Sequence, residues 1–247
     1  MEWLDIALPL MALAFVSGAI DAIAGGGGLL TIPALLWVGL PPVAALATNK
    51  AQAVFGSLAA TMHFARQGVV NPLEAWRAVL ATFIGAGAGA LLVQHLASDL
   101  LERLIPVLLI GFALYFGLSP RVADIDSRQR LGTTAFGVLI GGGVGFYDGF
   151  FGPGTGTFLA AGYVALLGYN LRRATAHAKL LNLTSNLAAL LVFAVGGHVV
   201  WALGLPMACG QLLGGWLGAH LVLRHGARLV RLVLVAISLA ISVKLLV

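Results

Sequence analysis

Four ionisable side chains interrupt otherwise apolar sequence in this chain: Asp21, Lys50, Asp148 and Lys179. Two carboxylates and two ammonium groups sum to zero. Each aspartate stands just before a glycine cluster, Gly25, Gly26, Gly27 and Gly28 in one case and Gly152-Pro153-Gly154 in the other. Glycine raises the backbone entropy cost of a helix and proline lacks an amide donor, so both clusters should break a helix. The half-helix after each break presents free N–H groups and the positive end of its dipole, which suits an anion. Each lysine leads a polar stripe at helical spacing: Lys50, Ala53, Ser57 and Thr61 in one, Lys179, Asn182 and Asn186 in the other. Two readings of the lysines stay open. Either they snorkel from helix ends to the interface, or they line a buried polar cavity. The aspartates also carry two readings: a structural one, accepting from free backbone donors or pairing with lysine, and a titratable relay that couples or gates the site.

These groups recur because the chain repeats. Asp21, Gly25 and Gly27 match Asp148, Gly152 and Gly154 at an offset of 127 residues. Gly39, Lys50, Phe64 and Gly68 match Gly168, Lys179, Phe193 and Gly197 at an offset of 129. Apolar segments fall at about 3–24, 28–39, 44–65, 75–97, 102–118, 131–151, 155–168, 172–194, 199–223 and 229–247. The pieces 28–39 and 155–168 are too short to cross alone, since a crossing needs about 20 residues. With 9% charged residues and a mean hydropathy of +1.00, the chain cannot build a solvated surface. Its long apolar runs call for helices, where a barrel would show alternating ten-residue segments.

The expected architecture is an all-α polytopic membrane protein. It is read as an inverted repeat, each half with a Gly-broken helix pair as re-entrant element plus three further transmembrane helices. The halves are 1–118 and 131–247, joined by a charged cytoplasmic linker at 119–130. If each broken pair returns to its own side, ten arginines share one side, against Arg103 and Lys244 on the other. Positive residues favour the cytoplasm, and the rival scheme gives an even split. The preferred scheme puts both termini outside.

Several function classes fall away. The net charge of +5 comes from basic residues scattered at helix ends, which is topology signal and not a nucleic-acid footprint. The run of four glycines follows no strand, so no dinucleotide or phosphate loop is expected. Cys209 is the single cysteine and is expected to pack in the core. His63, His95 and His220 stand isolated, so no metal site and no cofactor are expected, and no nucleophile–base pairing suggests an enzyme. His198 is assigned to a loop. Glu2 and Asp5 with no basic n-region argue against a cleaved signal peptide. Trp37, Trp76 and Trp201 are expected at the interface. Gly85, Gly87 and Gly89, and Gly214, Gly215 and Gly218, are expected to allow close helix packing.

At the repeated motifs the chain resembles the TauE/SafE sulfite exporter family, also called TSUP. The segment AGGGGLLTIPALLWVGLPPVAALATNKAQAVFGSLAAT is similar to the family's N-terminal signature, and GFYDGFFGPGTGTFLAAGYVALLGYNLRRATAHAKLLNLTSNLAALLVF to its C-terminal one. The likeness covers nearly the whole chain. It implies a multi-pass permease of the bacterial inner membrane that moves sulfite, sulfonates or other small anions. It also implies functional roles for Asp21, Gly25 to Gly28, Asn49, Lys50 and Gln52. In the second half the implied residues are Asp148, Gly152 to Gly154, Thr155, His177, Lys179, Asn182 and Asn186.

The combined expectation is a secondary anion transporter working by alternating access. Backbone amides after the two breaks hold the anion's oxygens. Lys50 and Lys179 supply charge, and Asn49, Ser57, Asn182 and Asn186 orient the anion. Asp21, Asp148 or His177 relays protons. Partners are the anion and membrane lipid, with a second copy of the chain admitted as a homodimer and no nucleic acid. The alternative is a metal or cation permease with Asp21 and Asp148 as ligands, which would prefer more carboxylates and thiols than this core holds.

Overall fold

The computed structural model describes residues 3–118 and 128–246, with the side chains of 3–4, 112–118 and 225–246 outside the described set. Most of the expected linker therefore lies outside the described residues, as do Met1, Glu2 and the Lys244 side chain. Helices form throughout: α1 (Trp3–Ala24), α2 (Gly28–Trp37), α3 (Pro42–Arg66), α4 (Trp76–Gln94), α5 (Ser98–Leu118), α6 (Thr133–Phe136), α7 (Gly143–Phe150), α8 (Thr155–Leu167), α9 (Leu171–Val195) and α10 (Trp201–Leu246). A π-helical stretch, Gly137–Gly142, joins α6 to α7. α1, α4 and α9 are each long and apolar enough to cross a membrane, and α2 and α8 are the short apolar pieces.

The two breaks form where glycine and proline cluster. α1 ends at Ala24 and α2 restarts at Gly28, while α7 ends at Phe150 and α8 restarts at Thr155. Gly25 at φ +80° and Gly152 at φ +106° turn the chain through the left-handed region, which side chains with a Cβ rarely enter. The repeat is written in the backbone as well. Gly39 and Gly168, and Gly68 and Gly197, also take positive φ at matching positions. The copies are not identical: Gly154 is left-handed, whereas its counterpart Gly27 is helical at φ −55°.

Packing does not follow the two sequence halves. α10 packs mainly against α1 and α3, and α4 packs mainly against α7, the π stretch and α9. The halves therefore exchange one helix each. One bundle contains α1, α2, α3 and α10, and the other contains α4, α6–α7, α8 and α9. Small residues make the exchange close. A Cβ on Gly218 would lie 2.8 Å from Ala22 Cβ and 3.0 Å from Ala19 Cα. A Cβ on Gly145 would lie 2.7 Å from Thr82 O. Gly85, Gly89, Gly214 and Gly215 likewise abut neighbouring backbone, as expected, but Gly87 faces open space. With lipid as solvent, close backbone approach replaces the hydrophobic drive of soluble bundles.

One expectation is corrected. The segments 199–223 and 229–247 do not turn back on each other. α10 is a single helix of 46 residues, about 69 Å at 1.5 Å per residue. Between the two apolar runs lie Arg224, His225, Gly226, Ala227 and Arg228. A lone glycine disfavours helix by only about 1 kcal/mol, so nothing in that stretch forces a turn. The return crossing assumed in the arginine count is therefore absent. Cys209 also departs from expectation, being exposed on α10.

Candidate functional site

α3 and α9 are the central helices, one from each bundle, and they pack against each other. Each carries its lysine well inside the span. Lys50 and Lys179 are both 1% exposed, so neither snorkels; their ammonium groups turn inward to buried partners. Lys50 Nζ donates to Asp148 Oδ1 at 2.8 Å and to Asn186 Oδ1 at 3.0 Å. Lys179 Nζ donates to Asp21 Oδ2 at 2.8 Å and to Asn182 Oδ1 at 3.5 Å. Each lysine thus takes its countercharge from the opposite repeat. Because α1 lies with α3 and α7 with α9, both ion pairs bridge the two bundles. An unpaired ammonium at such depth would cost several kcal/mol, and this crosswise pairing offsets it.

The breaks make the pairing geometrically available. A Cβ on Gly152 would sit 2.8 Å from Lys50 Nζ and 2.9 Å from Asp148 Oδ1. A Cβ on Gly156 would sit 2.7 Å from Gly25 Cα and 3.0 Å from Lys179 Nζ. One on Gly28 would meet Pro153 at 3.3 Å. The two breaks therefore lie against each other, backbone to backbone, with a lysine reaching each. Thr157 Oγ1 donates across to Ala24 O and pins them together. Tyr147 OH donates to Pro153 O within the second break.

The two pairs differ in their surroundings. Asp148 is 1% exposed and accepts from four side chains: Lys50, Thr155 at 2.8 Å, Ser185, and Asn182 at 3.5 Å. Asp21 has a side chain 21% exposed and accepts from Lys179 and, at 3.4 Å, from the amide of Gly27. One carboxylate is enclosed by donors and the other is partly open.

The remaining expected site residues divide. Asn182, Asn186 and Thr155 join the ion-pair network. Among the described residues, Asn49 makes no hydrogen bond to the four charges, accepting instead from Thr31 Oγ1 at 2.6 Å and from Gln52 Nε2 at 2.9 Å. Gln52 Oε1 is buried without a hydrogen-bond partner. Ser57 donates back to Ala53 O at 2.7 Å on its own helix. A Cβ on Gly26 would meet only Leu29 Cδ1, at an ordinary contact distance of 3.8 Å. His177 packs against the rings of Tyr163 and Tyr169 and bonds through Nδ1 with Arg173 O, away from the lysines. Sequence reasoning missed Ser185, Gly156, Thr157 and Thr31. Ser185 stands three residues after Asn182 and one before Asn186, so its place on the polar face of α9 was readable; the other three are set by how the breaks meet.

Among the described residues, no group of three or more His, Cys, Asp and Glu gathers. The two carboxylates that a cation permease would use as ligands are each held by an ammonium group.

A family model described as Sulfite exporter TauE/SafE matches residues 10–245. The probable membrane transporter protein YfcA of Escherichia coli strain K12 is 49% identical over 237 residues, covering 96% of this chain and 88% of the relative. A probable membrane transporter protein of Haemophilus influenzae is 44% identical over 246 residues, covering 98% and 96%. The probable membrane transporter protein ORF9 of a Sinorhizobium species is 45% identical over 246 residues, covering 98% and 94%. No solved structure matches.

Proposed function

The chain belongs to the sulfite exporter TauE/SafE family of membrane proteins, and from that premise we propose that it is a secondary transporter of a small anion in the inner membrane. Sulfite is the cargo favoured by the family's description, and a sulfonate or related sulfur oxyanion belongs to the same chemical class. The observation that carries the reading is the crosswise pair of buried lysines at the meeting point of two broken helices. A neutral site with oriented donors admits a negative solute that borrows an ammonium from its carboxylate. Half-helix N-termini facing anionic groups near the midplane are a recurring device of broken-helix transporters.

The two pairs take different roles. Lys179 is the ammonium lent to the anion, because Asp21 is partly open and can be stabilised by solvent when left alone. Lys50 stays with Asp148, whose enclosure makes separation expensive. Alternating access rocks one bundle against the other, and the ion pairs lie on the surface between them. Coupling to protons runs through Asp21: a proton on that carboxylate releases Lys179 for the anion.

Sulfite flux into proteoliposomes tests this. Lys179→Ala should reduce flux at least tenfold with the protein still folded by its melting curve. Unchanged flux in both Lys179→Ala and Lys50→Ala would end the lysine assignment.

A further inference from the structure

A depression of about 480 Å³ opens where the end of α3 meets the start of α9. Asn71, Glu74, Asn170, Arg172, Arg173 and His177 line it. From its chemistry we infer that it is a loading site for small oxyanions at one mouth of the carrier, and the repeat-related positions at the other mouth carry no charge. The inference rests on the anion-transport reading above.

Charge points to an anion. Two guanidinium groups face one carboxylate, and Glu74 is already engaged, accepting from Asn71 Nδ2 at 2.9 Å. The Arg173 guanidinium lies 3.9 Å over the Tyr169 ring. Stacking fixes the plane of the fork and leaves its edge donors pointing sideways, the geometry that suits an oxyanion. Tyr169 is held in turn by Tyr163 and His177, so the platform is anchored. Asn170 caps α9 through Arg173 N at 2.9 Å, and the positive end of that 25-residue helix points into the depression. Of the lining residues only Val69 is a large apolar group. Nothing there would hold an acyl chain, which favours a soluble anion over a lipid headgroup.

The repeat supplies the control. Shifting by 129 residues places Pro41, Val43, Ala44 and Thr48 where Asn170, Arg172, Arg173 and His177 stand. Val200 and Leu203 take the places of Asn71 and Glu74. All are uncharged, and Val200 N donates to Thr48 Oγ1 at 3.1 Å across the corresponding junction. One mouth is basic and open; its counterpart is neutral and tied. Basic residues favour the cytoplasm, so the loading site faces inward and serves export.

The test compares sulfite transport in right-side-out and inverted membrane vesicles. Exposed ion contacts are individually weak, so Arg172→Gln/Arg173→Gln should raise KM about three- to thirtyfold in one vesicle orientation, with KM in the other within twofold. Glu74→Gln should lower KM from the same face. That variant keeps the bond with Asn71, and acidic residues carry little topology signal, so misfolding or reorientation cannot mimic its gain. Equal KM changes from both faces, no change from either, or a rise in KM for Glu74→Gln would overturn the loading site. Anionic-lipid vesicles replacing neutral ones should leave the difference between faces intact; its loss would assign the depression to headgroups. Absence of anion flux in the unaltered protein would instead sink the transport reading itself.

Discussion

Lys50→Met removes the ammonium of the enclosed pair and is the sharpest probe of the site. Asp148 would then be a 1% exposed carboxylate left with Thr155, Ser185 and Asn182 as neutral donors. Stranding one member of a buried pair costs about 3–5 kcal/mol. Lys179→Met strands Asp21, whose side chain is 21% exposed. Water can reach that carboxylate, so the cost falls to about 1–3 kcal/mol. At about 2–4 °C per kcal/mol for a chain of this length, the apparent melting temperature should fall by about 6–20 °C for Lys50→Met and by about 2–12 °C for Lys179→Met. The ordering is the decisive point. Adding Asp148→Asn to Lys50→Met removes the stranded charge while keeping an acceptor for Thr155, so the double variant should recover at least half of the loss. Scanning fluorimetry of detergent-solubilised protein reads all of these. Equal losses for the two single variants, or no recovery in the double, would refute the claim that the pairs differ in enclosure.

Gly152→Ala should abolish measurable sulfite flux and lower the melting temperature, because the new methyl would meet Lys50 Nζ at 2.8 Å on a backbone at φ +106°. Gly87→Ala should do the opposite in the melting curve, a gain of about 0.5–1 kcal/mol, since its Cα faces open space within α4. Ser57→Ala should leave flux within twofold, as its hydroxyl bonds to its own helix; a tenfold loss would place it in the site after all. Asp21→Asn should remove the response of sulfite flux to an imposed proton gradient, and a retained response would exclude Asp21 as the coupling group.

Much of the site was legible because lipid makes charge costly. Asp21, Lys50, Asp148 and Lys179 stand out in apolar sequence, and the glycine clusters mark where a helix must stop. The stripe Lys179, Asn182 and Asn186 followed from helical spacing and is where the polar network forms. Spacing puts Ser57 on the polar face, but it does not reveal that the hydroxyl bonds to carbonyls of its own helix. His177, two positions along the helix from Lys179, stands on nearly the opposite face and packs on Tyr163 and Tyr169. The uninterrupted α10 was misread because a dip in hydropathy looks the same whether or not the chain turns there.

The amino-acid sequence alone decided that this is a helical membrane protein with a repeated, glycine-broken core and four charges that cancel within apolar sequence. Those conclusions rest on local facts: transfer of charge into lipid, backbone entropy at glycine and the missing donor of proline. Which charge meets which, and which helix joins which bundle, came only from the tertiary structure. Lys50 is 98 residues from Asp148, and Lys179 is 158 from Asp21. No local preference distinguishes a pairing within a repeat from one across repeats. The choice falls to helix packing, where the small residues that seat α10 on α1 and α4 on α7 bring each lysine to the other repeat's carboxylate.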